Sequence, residues 1–418
     1  MRYTNLLPLG QPLVDLIYKA LREKPEHRYA SMSQFYGDLL GYSAPLSESE
    51  NGLTSETFFT SSEEATRVSR AKNWPPMPAA ELELPGGGMA LPSPYYVDRH
   101  PIEADCFRMI DKPGCLIRIK GPCQMGKTSL MARILQHAEK SDAVTVPISF
   151  HISEARILKD LNLFLRWLCA VISRKLKLPT SPIDECWDDI FGAKDNCTAY
   201  FEEYLLPRVK TSLVLALDKV DLLFDYPQIA VEFLGLLRVW HEVAKTDKLW
   251  QKLKLVMVHA TEVYLPMNLN QSPFNVGLPI SMPEFTLPQM LDLAARHGLQ
   301  CNKERMQQLM ALIGGHPFLA RAAFYHLARN KTSFEELMGS ASGESGLFAD
   351  HLKRNLWHLE QHPDLATAIR KVMTSNDPVR LDSGLAFKLQ SMGLVCMEGF
   401  DVRPRCDLYR LYFRERLQ

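Results

Sequence analysis

Between residues 85 and 285, short apolar runs alternate with longer stretches whose apolar residues recur at helical spacing. The runs CLIRI (115–119), AVTVPISF (143–150), SLVLAL (212–217) and KLVMVH (254–259) have the length and β-branched content of buried strands. Between them lie amphipathic stretches such as LNLFLRWLCAVISRKL and AVEFLGLLRVWHEVA. Strand–helix alternation of this kind predicts an α/β fold: a parallel sheet with right-handed crossovers, sandwiched by helices. Residues 286–340 read as helical throughout. The stretch 346–418 holds three helical patterns and then GLVCMEGFDVRPRC, whose EGF turn between two short alternating runs predicts a hairpin.

Helices followed by a small hairpin outline a winged helix. Near the start, Leu13, Leu16, Ile17 and Leu21 recur at helical spacing, and Pro25 opens a second helical piece after a break at KPEHRY. From 43 to 84 the composition turns to Ser, Glu, Thr and Pro. Such a segment cannot bury enough apolar surface to offset its ordering entropy, so it reads as a disordered linker. The expected organisation is a helical piece (1–42), the linker (43–84), the α/β domain (85–285), a helical lid (286–345) and a C-terminal winged helix (346–418).

Composition narrows the function. The chain of 418 residues is 46% hydrophobic and 23% charged, as a soluble globular protein would be. Lys+Arg and Asp+Glu both total 48, so no global field points to nucleic acid or membrane. The nine cysteines form no CxxC pair and no zinc-spaced cluster, which argues for reduced thiols. The first residues carry no uninterrupted apolar core of a signal peptide, and no stretch reaches membrane-spanning length; a cytoplasmic protein is expected.

One motif carries chemistry. GPCQMGKT (121–128) matches G-x-x-x-x-G-K-[ST], directly follows the strand CLIRIK and directly precedes the helical TSLMARILQHA. In this setting Gly121 permits the tight turn, and Gly126 lets backbone N–H groups approach phosphate. Pro122, Cys123, Gln124 and Met125 complete the loop, and Ser129 continues the first helical turn. Lys127 is expected to bridge β- and γ-phosphates, and Thr128 to ligate Mg²⁺. Downstream, the apolar run LVLAL ends in Asp218, a second Mg²⁺ ligand candidate, direct or through water. The strand KLVMVH is followed by ATE, so His259 or Thr261 is expected beside the γ-phosphate, where related folds keep a polar sensor.

LIRIKGPCQMGKTSL, LALDKVDLLF, HATEVYLPMNLNQSPFNVGLP and GGHPFLARAAFYHLAR together resemble the bacterial AAA-like ATPase domain of multidomain signalling proteins. That domain is similar to the STAND and origin-recognition branches of the P-loop NTPases. The resemblance spans about 85–418. It implies ATP as ligand, a nucleotide-binding sheet, a lid and a winged helix. GGHP resembles the lid's G-x-P motif, whose proline, here Pro317, touches nucleotide in STAND proteins. It further implies Arg321 as a phosphate sensor and Arg238 as a residue reaching a neighbouring subunit.

Where the family reads LDEVD, this chain reads LDKVD. A positioned general base is worth about 10²–10⁴-fold, or roughly 3–5 kcal/mol of barrier. Beside a triphosphate, an ammonium stays protonated and accepts nothing. Lys219 therefore predicts ATP binding with slow hydrolysis, with Asp221 as a substitute base. Cys123, inside the loop near Lys127, is a candidate for a thiol of lowered pKa.

LIYKALREKPEHRYASMSQFYGDL (16–39) resembles the last helices of a protein kinase, with Arg28 in the K-D-P-x-x-R-Y turn, but the catalytic motifs of a kinase are missing from the sequence. Three readings follow. The first is an ATP-binding switch that recruits a protein partner or self-associates. The second is a DNA-associated ATPase similar to origin-recognition or transposition helpers. The third is a regulatory fragment of a kinase system. Nucleic acid ranks behind protein as partner, because GLAFKLQSMG presents one lysine and several apolar residues to a groove.

Overall fold

The computed structural model describes residues 81–152, 154–259 and 273–417, all within one compact unit, Trp74–Gln418. The helical piece 1–42, most of the segment read as linker and Thr261 lie outside the described residues.

Five parallel strands form the central sheet: β1 (Leu116–Lys120), β2 (Val144–Ser149), β3 (Leu213–Asp218), β4 (Leu253–His259) and β5 (Leu278–Ser281), in the order β2-β3-β4-β1-β5. The first four are the predicted ones. The fifth escaped the pattern because it is four residues long and contains Pro279, a residue a sheet tolerates at its edge. Every residue of β3 and β4 is buried, as expected for inner strands covered on both faces.

Alternation along β3 sorts its side chains into two cores. Leu213, Leu215 and Leu217 join the core built with helices α3 (Leu161–Lys175), α4 (Ala193–Ala199) and α5 (Pro227–Val243). Val214 and Ala216 face the other way, toward α1 (Ile102–Ile110) and α2 (Lys127–Glu139).

The region read as a lid holds α6 (Leu287–Arg296), α7 (Lys303–Ile313), α8 (Pro317–Ala328) and α9 (Phe334–Ser340). After them come α10 (Ala349–Glu360), α11 (Pro363–Thr374), α12 (Ser383–Ser391), the antiparallel pair β6 (Val395–Glu398) and β7 (Asp401–Pro404), and α13 (Asp407–Arg416). Gly399, with φ of 62°, sits in the predicted hairpin turn, and Val379 pairs with Val402 as a third short strand position. Helix α13 was not among the predicted elements, although Leu408, Tyr409, Tyr412 and Phe413 form a buried helical stripe.

A single core runs through everything from Phe285 to Phe413. It joins Leu293, Leu319 and Phe324 of the lid to Leu352, Ile369 and Leu394 beyond it. Tyr95 and Val97, from the approach to α1, belong to the same core. Residues 81–84, read as the end of the linker, also pack here: Leu82 lies against this core and Tyr95 Oη donates to the Glu81 carbonyl.

Candidate functional site: a phosphate loop at the strand ends

Parallel pairing brings the carboxyl ends of the strands into line. Lys120 pairs with His259, and Ser149 with Asp218, so the segments leaving β1, β3 and β4 emerge on one edge of the sheet. The loop 121–126 leaves β1 there and enters α2 through Gly126, whose φ of 88° is costly for a side-chain-bearing residue. A Cβ at Gly126 would also meet the Arg99 guanidinium at 3.2 Å.

Lys127 Nζ donates to the carbonyls of Gly121 (2.8 Å) and Pro122 (2.7 Å), folding its ammonium over the loop. Burial pushes this ammonium below the usual lysine value; Cys123, Asp221 and Asp218 pull the other way, and Lys219 adds to the depression. Thr128 Oγ1 donates to Asp218 Oδ2 at 3.1 Å, joining the two Mg²⁺ ligand candidates. Asp218 Oδ1 accepts from the backbone N–H of Lys219 at 2.9 Å. That residue is exposed and left-handed, with φ of 58° and ψ of 45°. His259 is buried at the end of β4, edge-on to Phe274 at 5.1 Å. Asp221 follows in the 3-10 turn Val220–Asp225. The structure thus gathers Lys127, Thr128, Asp218, Lys219 and Asp221 into one electrostatic neighbourhood.

Residues 121–128 match G-x-x-x-x-G-K-T, and residues 84–415 match the model of the AAA-like domain. The chain belongs to that family. This AAA-like chain is similar to an uncharacterized WD repeat-containing protein of Synechocystis sp., 25% identical over 248 residues. The match covers 56% of the chain but only 20% of that longer protein. Among solved structures, the Walker-type ATPase PABY2304 of Pyrococcus abyssi aligns with a TM-score of 0.54 at 13% identity, over 76% of this chain and 96% of its own. The Aeropyrum pernix ORC2 protein, in its ADPNP-ADP complexes, gives 0.45 at 15% identity, over 81% and 98%. A Pyrococcus horikoshii STAND protein with a tetratricopeptide-repeat sensor gives 0.33 at 13%, over 82% and 44%. The family match and the five-stranded parallel sheet make this an AAA-like P-loop ATPase fold.

Two arginines of this AAA-like domain stand elsewhere than the resemblance implies. Arg321 is buried in α8, where Nη2 donates to the Glu83 carbonyl (3.0 Å) and the guanidinium lies 5.3 Å from the Tyr95 ring centre. It ties the lid to the segment before α1 rather than joining the loop. Arg238 pairs with Glu242 on its own helix at 2.8 Å and is mostly covered within this chain. From the same motif, Pro317 opens α8, and it is the buried His316 just before it whose ring lies by the Cys123 backbone of the loop. Cys123 itself is exposed.

Other contacts had no local signal in the sequence. Arg99 is buried beneath the loop, donates from Nη2 to the Met125 carbonyl (3.0 Å) and lies over the Phe285 ring. Met89 N–H donates to Ser129 Oγ at 3.0 Å, and Gly88 lies against the Thr128 methyl group. His351 of α10 meets Gln124 at 2.7 Å. The run PGGGM at 85–89 was a clue to a close backbone approach, but nothing in it says to what.

Proposed function

We propose that this chain is an ATP-binding switch whose output is nucleotide occupancy rather than turnover, acting in the cytoplasm on a protein partner or on a second copy of itself. The observation that carries the reading is the Thr128–Asp218 pairing at 3.1 Å beside Lys127, at the carboxyl edge of a parallel sheet. A hydroxyl and a carboxylate are hard oxygen donors suited to Mg²⁺, which is commonly held by few protein ligands, completed by water and phosphate. In this reading Thr128 and Asp218 hold the ion, which would screen phosphate charge when bound. Lys127 exchanges its carbonyl partners for phosphate oxygens, and the loop N–H groups cradle them.

Slow hydrolysis follows from Lys219. Its ammonium offers no lone pair to an attacking water, and Asp221, in the turn beyond, is the carboxylate available to take that part. The lid helices close one side of the site. The unit 346–418, read as a winged helix, supplies the part whose position responds. Among the described residues no helix is long and apolar enough to cross a membrane.

Nucleotide binding and single-turnover hydrolysis in the natural protein, Lys127→Ala and Lys219→Glu test the reading. Binding lost in Lys127→Ala, with slow cleavage that Lys219→Glu accelerates by about 10²-fold or more, is the expected result. Affinity indifferent to Lys127→Ala overturns it. Brisk cleavage in the natural protein, unchanged by Lys219→Glu, makes the chain a working ATPase instead.

A further inference from the structure

Consecutive residues of the phosphate loop are gripped from outside the loop. Pro122 packs on Gly393, at the exit of α12, so closely that a Cβ built on Gly393 would stand 2.6 Å from Pro122 Cβ. The buried His316 ring lies by the Cys123 backbone. The Gln124 side chain bonds to His351 Nδ1 at 2.7 Å, and its backbone is left-handed, with φ of 61°. All three holding residues belong to the helical part that shares one core.

The His351 bond sits in a directed chain. His351 Nε2 lies 2.9 Å from Tyr409 Oη and 3.3 Å from Asn355 Nδ2. The Asn355 amide nitrogen can only donate, and the Tyr409 hydroxyl, which burial keeps protonated well above its usual range, has a hydrogen to donate as well. Nε2 is then the acceptor, which leaves Nδ1–H to donate to Gln124 Oε1. Burial also pushes His351 down to about 4, so the ring is neutral near pH 7 and the chain keeps this direction. The relay therefore runs from α13 through α10 into the phosphate loop.

We propose that the His351–Gln124 bond is a latch that makes the conformation of the phosphate loop and the seating of the C-terminal helices a single equilibrium. This rests on the nucleotide-binding reading above. A bound phosphate draws the Lys127 ammonium away from the Gly121 and Pro122 carbonyls, which changes the loop between residues 121 and 124. That is the stretch held by Gly393, His316 and His351. Any preference of the nucleotide for one loop conformation is then transmitted to α10, α12 and α13, and seating of those helices alters nucleotide affinity by the same factor. His351 acts through Gln124 and is a positioning residue.

The test combines hydrogen exchange with a double-mutant cycle on the full chain, using ATP with Mg²⁺ as the probe. In the natural protein, saturating nucleotide changes amide exchange in 349–358 and 383–398 several-fold. His351→Leu and Gln124→Leu each still bind nucleotide, with affinity shifted by roughly fivefold, and lose most of that response. The double variant is no more affected than either single one. His351→Gln, which keeps a donor for Gln124, restores the response and separates the latch from a general loss of folding. An unchanged response in both single variants, or strictly additive affinity effects, overturns the latch. Nucleotide binding that is absent or indifferent to Lys127→Ala overturns the underlying reading, and the latch with it.

Discussion

The Thr128 hydroxyl donates to the Asp218 carboxylate at 3.1 Å, across 90 residues of sequence and one intervening strand of the sheet. The contact is made because β1 and β3 flank β4 in parallel register and end level with it. Replacing Asp218 with Asn keeps the shape and an acceptor for Thr128 but removes the charge. Nucleotide affinity measured with Mg²⁺ should fall by on the order of tenfold or more, while affinity measured in excess chelator stays as it was. Equal losses under both conditions would mean that Asp218 holds the loop and not an ion.

Lys219 carries a second, separable prediction. A left-handed residue with a Cβ costs about 1–2 kcal/mol, and only glycine adopts this region freely. Lys219→Gly removes that strain and adds freedom to the unfolded chain. The net gain in unfolding free energy should be about 0.5–1 kcal/mol. Denaturant titration reads it directly, and a loss of stability would show that the lysine side chain makes a contact worth more than the strain.

Three buried histidines predict how stability varies with pH. Burial pushes His316 to about 3, and His351 and His297 each to about 4. Their rings are neutral in the folded chain and titrate near 6.5 when unfolded. Between pH 4 and 6.5 the unfolded state therefore binds more protons, and stability rises with pH. It is fully present above about 6.5 and is lost as the solution is acidified. On going from pH 7 to pH 5 each ring should contribute a loss on the order of 2 kcal/mol. Urea unfolding at the two pH values, repeated in His297→Leu, should show the slope reduced by that residue's share.

Gly315 is predicted to be intolerant. A Cβ there would lie 2.1 Å from the Phe285 carbonyl oxygen and 2.7 Å from the Phe285 nitrogen, where Phe285 N–H donates to the Gly315 carbonyl. Gly315→Ala must push the start of α8 away from the end of the sheet. A destabilisation of about 1–3 kcal/mol is expected in thermal or chemical unfolding, accompanied by weaker nucleotide binding. Gly339, where an added Cβ meets nothing within 4 Å, provides the control.

What could be read from the sequence was whatever is local in it. Strands β1 to β4 declare themselves because burial on both faces demands an apolar run, and GPCQMGKT because phosphate binding needs its parts within eight consecutive residues. Strand β5 could not declare itself, being an edge strand of four residues with a proline. Periodicity showed that Arg321 lies on a packed helix, yet not that its neighbour is Glu83, 238 positions away. The residues around the loop illustrate the same limit. Arg99, His316, His351 and Gly393 reach it from far along the chain, and nothing near any of them announces the contact. Sequence separation, not weak chemistry, hid them.

The continuous core from Phe285 to Phe413 makes the lid and everything after it one stiff arm. The chain enters that arm from β5 at 282–286, close to the ion pair of Glu284 with Arg405 at 3.2 Å. A second crossing lies at 94–97, where Arg296 grips the carbonyls of Pro94 and Tyr96, each at 2.8 Å. With the contacts of Pro122 to Gly393 and of Gln124 to His351, these attachments cluster beside the phosphate loop. Because the arm shares one core, a displacement imposed on it there would be carried by the whole body rather than absorbed by a single helix.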